Sequence, residues 1–291
     1  MQQRQSPSCQ ILPGLAAVQY LYDAYLIDAW GVLHDGKTLY PGALECLTQL
    51  RRLGKKVIIL SNAARRRDAV ASELNQIGID HSLYQDIVSS GELAWCSMRE
   101  RIDKGSFFGK QGYYLGPVRS RGLLEGLELS WQDSIQHADF ILNTGAPEGN
   151  PPDTAGCEGL LKTAVKLKLP MICANPDTVA IRGGQAGISA GAIAERYRQL
   201  GATVIEYHGK PHYPIYDSAL SLLGDTSRNK ILALGDAFAT DILGARNAGI
   251  DSWLIAGGIH RRMLDPLSLE SVSAAVGSEP IPDNASEYFA W

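Results

Sequence analysis

Apolar residues in this sequence form short continuous runs, separated by stretches in which they recur with helical spacing. The runs at 25–27 and 56–61 predict two strands, and those ending near residues 210, 235 and 256 predict three more. Strands that alternate with helices in this way are typical of a parallel sheet wrapped by helices. The sequence therefore predicts an α/β fold with a doubly wound parallel sheet.

Two helices are predicted around the second of these strands. The stretch PGALECLTQLRRLG has Pro41 near its start and Gly54 after its end, as helices often do. A second helix follows the strand at 56–61 and is closed by Gly78. The apolar positions with helical spacing in the two helices are Leu44, Leu47, Leu50, Val70, Leu74 and Ile77.

The middle of the chain has a different character. Its strand-like runs, in GYYLG, ADFILNTG and PMICANPD, are weaker, and they are interrupted by the Pro/Gly-rich APEGNPPD and the Gly-dense RGGQAGISAGA. We therefore expect residues 88–202 to form an inserted, smaller domain. The main domain would then consist of residues 1–87 and 203–291.

Composition narrows the class of protein. A chain of 291 residues with 45% hydrophobic and 20% charged residues is long enough for two domains with cores. A net charge of -4 without a basic tract argues against nucleic acid or a membrane as a partner, and leaves a phosphorylated small molecule open. The five scattered cysteines, outside any CxxC or Cys/His cluster, fit a reduced cytoplasm. With no visible targeting signal or membrane span, we expect a cytoplasmic protein.

Polar side chains follow several of the predicted strands. Asp28, Ser61, Lys210 and Asp236 each lie at or just after the carboxyl end of a strand, where open parallel sheets bind ligands. Asp241 adds a further carboxylate close to Asp236 in the sequence. Hard oxygen ligands suit Mg²⁺, whereas Zn²⁺ would favour histidine or cysteine. The sequence therefore predicts a magnesium site at this edge of the sheet.

Phosphate binding is predicted beside this metal site. Ser61 and Asn62 precede a helix start, where backbone N–H groups, a hydroxyl and the helix dipole can hold phosphate oxygens. Lys210 supplies positive charge. Each residue also has a structural alternative: serine, asparagine and aspartate are common helix caps, and a lysine is usually a solvated surface residue.

The motifs together carry a family resemblance that spans nearly the whole chain after residue 20. In order, they are DAWGVLHDG, IILSN, HGKPHYPIYD and LALGDAFATD. They resemble the four motifs of the haloacid dehalogenase superfamily of hydrolases. The large insert between the second and third motifs, with CANPDTVAI and GISAGAIAERY before HGKP, is similar to subfamily IIA. The resemblance implies a Rossmann-like core, a type-2 cap at 88–202 and a phosphatase acting on a sugar or nucleotide phosphate.

The resemblance also implies a role for each site residue. Asp28 would be the nucleophile that forms an aspartyl-phosphate, and its carboxylate would ligate Mg²⁺. The backbone carbonyl of Trp30 and the side chain of Asp236 would complete the protein ligands, with Asp241 acting on a metal-bound water or on Lys210.

The remaining implied roles concern the substrate. Ser61, Asn62 and Lys210 would bind the phosphoryl group, whose charge Lys210 would also stabilise in the transition state. The partner would be a small phosphorylated metabolite, and the resemblance allows a homo-oligomer formed through the cap.

Trp30 is where the sequence departs from the phosphatases it resembles. They have an aspartate there, which protonates the leaving alcohol and then activates water, whereas indole can do neither. We therefore expect a preference for substrates with good leaving groups, unless His34 or Asp35 supplies the acid. Two alternatives stay open: attack of Asp28 on carbon, as in haloacid dehalogenation, which needs no metal, and a non-catalytic phosphate binder.

Overall fold

The computed structural model describes residues 9–149, 153–182 and 185–291. The first eight residues, and parts of the APEGNPPD and RGGQAGISAGA segments, lie outside the described residues. The described chain forms two compact units. The first unit comprises the chain up to Ser61 with 71–88 and 210–291, and the second comprises 62–70 and 89–209.

Strands and helices alternate along most of the chain. In chain order the strands are β1 (Gln10–Ile11), β2 (Ala24–Ile27), β3 (Lys56–Ser61), β4 (Asp86–Ser89), β5 (Gln111–Leu115), β6 (Ser130–Gln132), β7 (Phe140–Asn143), β8 (Met171–Cys173), β9 (Val179–Arg182), β10 (Gln185–Ile188), β11 (Ile205–Tyr207), β12 (Ile231–Gly235), β13 (Asp251–Ile255) and β14 (Asn284–Ser286). The α-helices are α1 (Ala43–Arg52), α2 (Arg67–Gln76), α3 (Ser90–Asp103), α4 (Glu158–Lys166), α5 (Ala190–Gln199), α6 (Tyr213–Leu223), α7 (Leu243–Ala248), α8 (Arg261–Leu264) and α9 (Leu269–Val276).

The first unit is built on a seven-stranded sheet with the order β1-β14-β13-β12-β2-β3-β4. The pairings from β1 through to β3 are parallel, with Ile27 of β2 opposite Leu234 of β12 and Ile59 of β3. Every residue of β2 and β12 is buried, as expected for central parallel strands covered on both faces. The predicted α/β class is confirmed.

The predicted helices form, and Leu44 does not lie on the buried face of the first of them. In α1 the buried residues are Ala43, Cys46, Leu47 and Leu50, whereas Leu44 is 42% exposed. The buried stripe starts at Ala43, and each residue turns the helix by about 100°, so Leu44 faces away. In α2 Val70 and Leu74 are buried, while Ile77 follows the last helical residue.

The second unit has its own sheet of five strands in the order β11-β8-β7-β5-β6. All of its pairings are parallel, and helices α4 and α5 pack on a core that includes Ile141, Met171 and Tyr197. Strands β9 and β10 form an antiparallel pair that the sequence pattern did not predict. The weaker strands expected in GYYLG, ADFILNTG and PMICANPD are all present as β5, β7 and β8.

One strand belongs to a different sheet from the one expected. The run that ends before Lys210 forms β11, which pairs with β8 of the second unit. The prediction that Lys210 follows a strand of the same sheet as Asp28 is therefore wrong. Lys210 instead begins the last segment of the first unit, three residues before α6.

Two further observations concern membrane-spanning helices and the state of the cysteines. None of the described helices is both long and apolar enough to cross a membrane. All five cysteines are free thiols, of which Cys96 is the exposed one.

Candidate active site

The candidate site begins at Asp28, directly after β2. Its backbone N–H donates to the Leu234 carbonyl at 2.9 Å, which continues the pairing with β12 by one residue. The Asp28 side chain lies at the carboxyl edge of the sheet and the residue is only 7% exposed. Burial of a carboxylate is costly unless charged or polar groups compensate it.

Lys210 provides that compensation. Its Nζ lies 2.7 Å from Asp28 Oδ1 and donates to Asp241 Oδ1, also at 2.7 Å. The residue is 2% exposed, so both ion pairs are shielded from water. One lysine thus holds two carboxylates that are distant in sequence.

Asp236 and Asp241 enter the site from the end of β12. Asp236 follows the last residue of this strand, and its Oδ2 accepts the Ile259 N–H at 2.7 Å. Asp241 lies in a single π-helical turn, Phe238–Ile242, and its Oδ2 accepts the Ala237 N–H at 3.1 Å. Single π-helical turns are frequent at functional sites. Here the turn directs a carboxylate back toward the strand end.

The three aspartates form one cluster. Carboxylate oxygens of Asp28, Asp236 and Asp241 lie within 4.8 Å of one another, and all three residues are buried. Burial raises the pKa of Asp236 well above its usual range, and the negative charges of Asp28 and Asp241 raise it further. With all three carboxylates ionised, Lys210 would balance only one of three negative charges, which is why, in addition to its burial, the pKa of Asp236 is raised. The cluster therefore fits a bound divalent cation, which would supply the missing positive charge.

Glycines give the cluster its space, and the sequence analysis did not identify them. Gly31 has φ +81°, and a Cβ there would overlap the Asp236 carboxylate. A side chain at Gly258 would strike the same carboxylate, and one at Gly235 would strike Asp241. The Gly257-Gly258 pair after β13 was a visible signal for a close backbone approach. The hydrogen bond from the Ile259 N–H could not be predicted, because residue types do not show which backbone N–H groups donate to a side chain.

The Trp30 ring packs within its own loop. It stands edge-on to His34 with ring centroids 5.3 Å apart, and it covers Gly36 so closely that a Cβ would overlap it. The backbone on its carboxyl side, at Gly31, approaches Asp236. Trp30 therefore contributes its ring to the loop and brings its backbone beside the carboxylate cluster.

The two candidate substitute acids in this loop already have structural roles. Asp35 Oδ1 accepts the N–H groups of Lys37 at 2.9 Å and Thr38 at 2.8 Å, and these bonds lower the pKa of Asp35. His34 is fully buried, and its Nδ1 accepts the Gly36 N–H at 2.9 Å. Both side chains stabilise the turn that presents Trp30.

Of the three residues expected to bind phosphate, Ser61 and Lys210 lie in the first unit and Asn62 lies in the second. Ser61 ends β3 beside β2 and is 2% exposed. Asn62 begins the second unit, where its Nδ2 donates to Asp177 Oδ1 at 2.7 Å. Within the first unit the structure therefore brings together Asp28, Asp236, Asp241 and Lys210, with Ser61 on the neighbouring strand.

Comparison with known proteins identifies the family. Residues 25–129 match a model described as haloacid dehalogenase-like hydrolase, and residues 207–275 match a second, HAD-hydrolase-like model. The chain is 24% identical to the 5'-nucleotidase YutF of Bacillus subtilis, over 88% of this chain and 96% of the relative. It is 26% identical to the sugar-phosphatase AraL of the same bacterium, over 80% of this chain and 82% of the relative.

A solved structure supports the same assignment. A haloacid dehalogenase-like hydrolase from Brucella suis 1330 superimposes with a TM-score of 0.82 and 28% identity, covering 96% of this chain and 99% of that one. The superfamily and the hydrolase class predicted from the four motifs are confirmed. The chain belongs to the haloacid dehalogenase-like hydrolases.

Proposed function

We propose that the protein is a Mg²⁺-dependent phosphatase that cleaves small phosphate monoesters through an aspartyl-phosphate on Asp28. The observation that carries this proposal is the buried cluster of Asp28, Asp236 and Asp241, whose oxygens lie within 4.8 Å of one another with Lys210 at its side. A carboxylate nucleophile and the positive charge needed to approach a phosphate dianion then occupy one site.

The donor set supports magnesium over softer metals. All three clustered side chains offer hard carboxylate oxygens, and the described residues include no histidine or cysteine in this cluster. We propose that Asp28, Asp236 and the Trp30 carbonyl hold the ion, with Asp241 supporting it. When bound, the ion would neutralise negative charge on the substrate and on the clustered carboxylates.

The chemical steps then follow from the chain's own residues. Asp28 attacks phosphorus, the bond from phosphorus to the leaving oxygen breaks, and an aspartyl-phosphate forms. Water next attacks this phosphorus, which releases inorganic phosphate and restores the Asp28 carboxylate. Lys210, held beside Asp28 Oδ1 at 2.7 Å, and the Ser61 hydroxyl would bind the phosphoryl oxygens during both steps.

Proton transfer to the leaving group is the step for which this loop lacks an acid. Trp30 has no acidic group, and Asp35 is an ionised turn residue with a lowered pKa. We propose that the enzyme favours leaving groups that are stable without protonation, such as aryl or acyl phosphates.

The relatives support the substrate class. Proteins named as a 5'-nucleotidase and a sugar-phosphatase align with most of this chain, so we propose a sugar or nucleotide phosphate as substrate. We assign the first unit as the catalytic core and the second unit as the cap that selects the substrate. The free thiols of all five cysteines support a reducing, cytoplasmic location.

A panel of phosphorylated metabolites, assayed with Mg²⁺ and with a chelator, tests this function. Release of phosphate that requires Mg²⁺ supports it, and loss of Mg²⁺ affinity in Asp236→Ala would support the metal assignment. Dehalogenation of a 2-haloacid without metal would favour attack on carbon. Binding of phosphate esters without any turnover would show a non-catalytic binder.

A further inference from the structure

The peptide chain passes between the two units at places that directly adjoin the candidate site. The first unit ends one segment at Ser61 and resumes with Lys210, and the second unit contains the adjoining Asn62 and Gly209. Two residues proposed to bind the phosphoryl group are thus each one peptide bond away from the second unit. Any group that fixes Asn62 and Gly209 also restrains Ser61 and Lys210.

Asn62 is fixed by a turn of the second unit, Asn175-Pro176-Asp177, which we call the NPD turn. Asn62 Nδ2 donates to Asp177 Oδ1 at 2.7 Å. This bond joins residues 115 positions apart in sequence, so it is a tertiary contact. It involves a carboxylate and is therefore stronger than a bond between neutral groups.

Gly209 packs against the same turn. Its φ of +127° is one that other residues rarely adopt. A Cβ at this position would lie 2.5 Å from Asn62 Oδ1 and 2.7 Å from Pro176 Cδ. The chain at Asn62 and the chain at Gly209 therefore run side by side, and the NPD turn packs against both.

The chain also passes from the first unit to the second after residue 88, and this connection bonds the same region. Residue 88 ends a segment of the first unit, and Ser90 begins α3 in the second unit. The Ser90 hydroxyl donates to the Ala174 carbonyl at 2.7 Å, and the Gly91 N–H donates to the Ala63 carbonyl at 3.0 Å. Ser90 and Gly91 thus tie the NPD turn and the chain after Asn62 to the start of α3.

The NPD turn does not need Asn62 for its own conformation. Asn175 Oδ1 accepts the Asp177 N–H at 2.9 Å, and Asn175 Nδ2 donates to Ser189 Oγ at 2.9 Å. The Gly191 N–H donates to the Asp177 carbonyl, also at 2.9 Å. These bonds hold the backbone of the turn, whereas the Asp177 carboxylate reaches out to Asn62.

We propose that Asp177 is a positioning residue, which acts through Asn62 and Gly209 to set where Ser61 and Lys210 lie in the catalytic site. This inference rests on the proposed phosphatase function for its kinetic consequences, but not for its structural ones. Asp177 fixes the spacing between the chain at Asn62 and the chain at Gly209. The adjoining side chains of Ser61 and Lys210, proposed to bind phosphate, are positioned as a result.

Removal of the carboxylate tests the proposal by kinetics. In Asp177→Ala, kcat/KM for p-nitrophenyl phosphate should fall about 10- to 100-fold, the cost of misplacing catalytic groups by roughly 1 Å. Asp177→Asn keeps an oxygen that accepts from Asn62 and should restore most of the activity. In an Asn62→Ala background, Asp177→Ala should lower kcat/KM by clearly less than it does in the wild type, because the bond between the two residues is already absent.

Asp139→Ala is the matched control. Asp139 lies in the second unit and accepts two backbone N–H groups, from Lys110 and Gln111, at 2.9 Å each. Its loss should lower the melting temperature at least as much as Asp177→Ala while leaving kcat/KM unchanged. Equal losses of kcat/KM in the two variants would reduce Asp177 to a general stabilising residue and overturn the proposal.

A second readout needs no turnover. Hydrogen–deuterium exchange of the backbone amides at 60–63 and 208–211 should be faster in Asp177→Ala than in the wild type, and unchanged in Asp139→Ala. If the wild type releases no phosphate but exchange still responds, the proposed function fails and the positioning role stands. If the wild type is active and Asp177→Ala alters neither exchange nor kcat/KM, the positioning role is wrong.

Discussion

The ammonium group of Lys210 lies 2.7 Å from Asp28 Oδ1, with both residues buried at the carboxyl edge of the sheet. The same Nζ bonds Asp241 Oδ1 at 2.7 Å. This lysine is therefore shared between the proposed nucleophile and a carboxylate of the proposed metal site. Its loss would leave both carboxylates without their common cation.

Replacement of this lysine should lower stability strongly. Lys210→Met keeps most of the apolar part of the side chain but leaves Asp28 and Asp241 buried without their cation, which should cost about 3–5 kcal/mol of unfolding free energy. Urea denaturation measures the loss. The control is Lys104→Met, which removes an exposed ion pair with Glu100 and should leave the unfolding free energy nearly unchanged. Similar losses of unfolding free energy in the two variants would show that the ion pairs of Lys210 are not shielded from water.

Gly31→Ala should weaken metal binding. The new Cβ would overlap the Asp236 carboxylate, so the carboxylate must move, and a roughly 10- to 100-fold loss of Mg²⁺ affinity is expected. Titration calorimetry measures this affinity. Gly54→Ala is the control, because Gly54 also has a positive φ, +66°, but has open space around it. Its strain should lower stability alone; equal Mg²⁺ affinities in the two variants would contradict the role of Gly31.

Asp35→Asn should lower the stability of the folded protein at neutral pH and leave turnover unchanged. Hydrogen bonds from Thr38 and Lys37 lower the pKa of Asp35 below its usual 3.8 in the folded protein. Its ionised form therefore stabilises the fold above the unfolded pKa, and this contribution disappears as the pH falls through the folded pKa. Chemical denaturation from pH 7 to pH 2 should show a difference between wild type and variant that shrinks below about pH 4. A pH-independent difference would exclude this role.

Trp30→Asp should change the dependence of rate on the leaving group. The wild type should show rates that fall steeply as the leaving-group pKa rises, across a series of aryl and alkyl phosphates. Trp30→Asp supplies an acid and should flatten this dependence, accelerating alkyl esters by as much as about 10²-fold. Trp30→Asn creates the same void next to His34 without an acid, so its dependence should stay steep.

The same series distinguishes the alternative acid. A shallow dependence in the wild type that becomes steep only in Asp35→Asn would show that Asp35 acts as the acid. In that case the proposal that the loop of Trp30 lacks an acid would be wrong.

The sequence predicted the central strands and the site at their ends for a clear physical reason. Runs such as Leu26-Ile27 and KVIILS are apolar because both faces of a central parallel strand are covered, and the charge of Asp28 at such a run's end stands out. Ordered motifs then identified the family. The spacing of leucines did not show which face of α1 is buried, because the small buried residues Ala43 and Cys46 stand out less in the sequence than Leu44.

Other features depend on contacts that sequence spacing does not encode. The run before Lys210 has a strand pattern in either sheet, and only its pairing with β8 assigns it to the second unit. The bond from Ile259 to Asp236 uses a backbone N–H, which any residue except proline supplies. The π turn that holds Asp241 and the bond between Asn62 and Asp177 likewise appear only in the folded chain.

If Asp28 is the nucleophile, it should carry the phosphoryl group during turnover. Acid quenching of the protein during turnover of p-nitrophenyl phosphate with Mg²⁺, followed by mass spectrometry of the peptides, detects this group. We expect a base-labile phosphoryl group on Asp28, absent without Mg²⁺ and absent in Asp28→Asn, which should retain its fold and lose turnover. A phosphoryl group on another residue, or undiminished turnover by Asp28→Asn, would show that Asp28 is not the nucleophile.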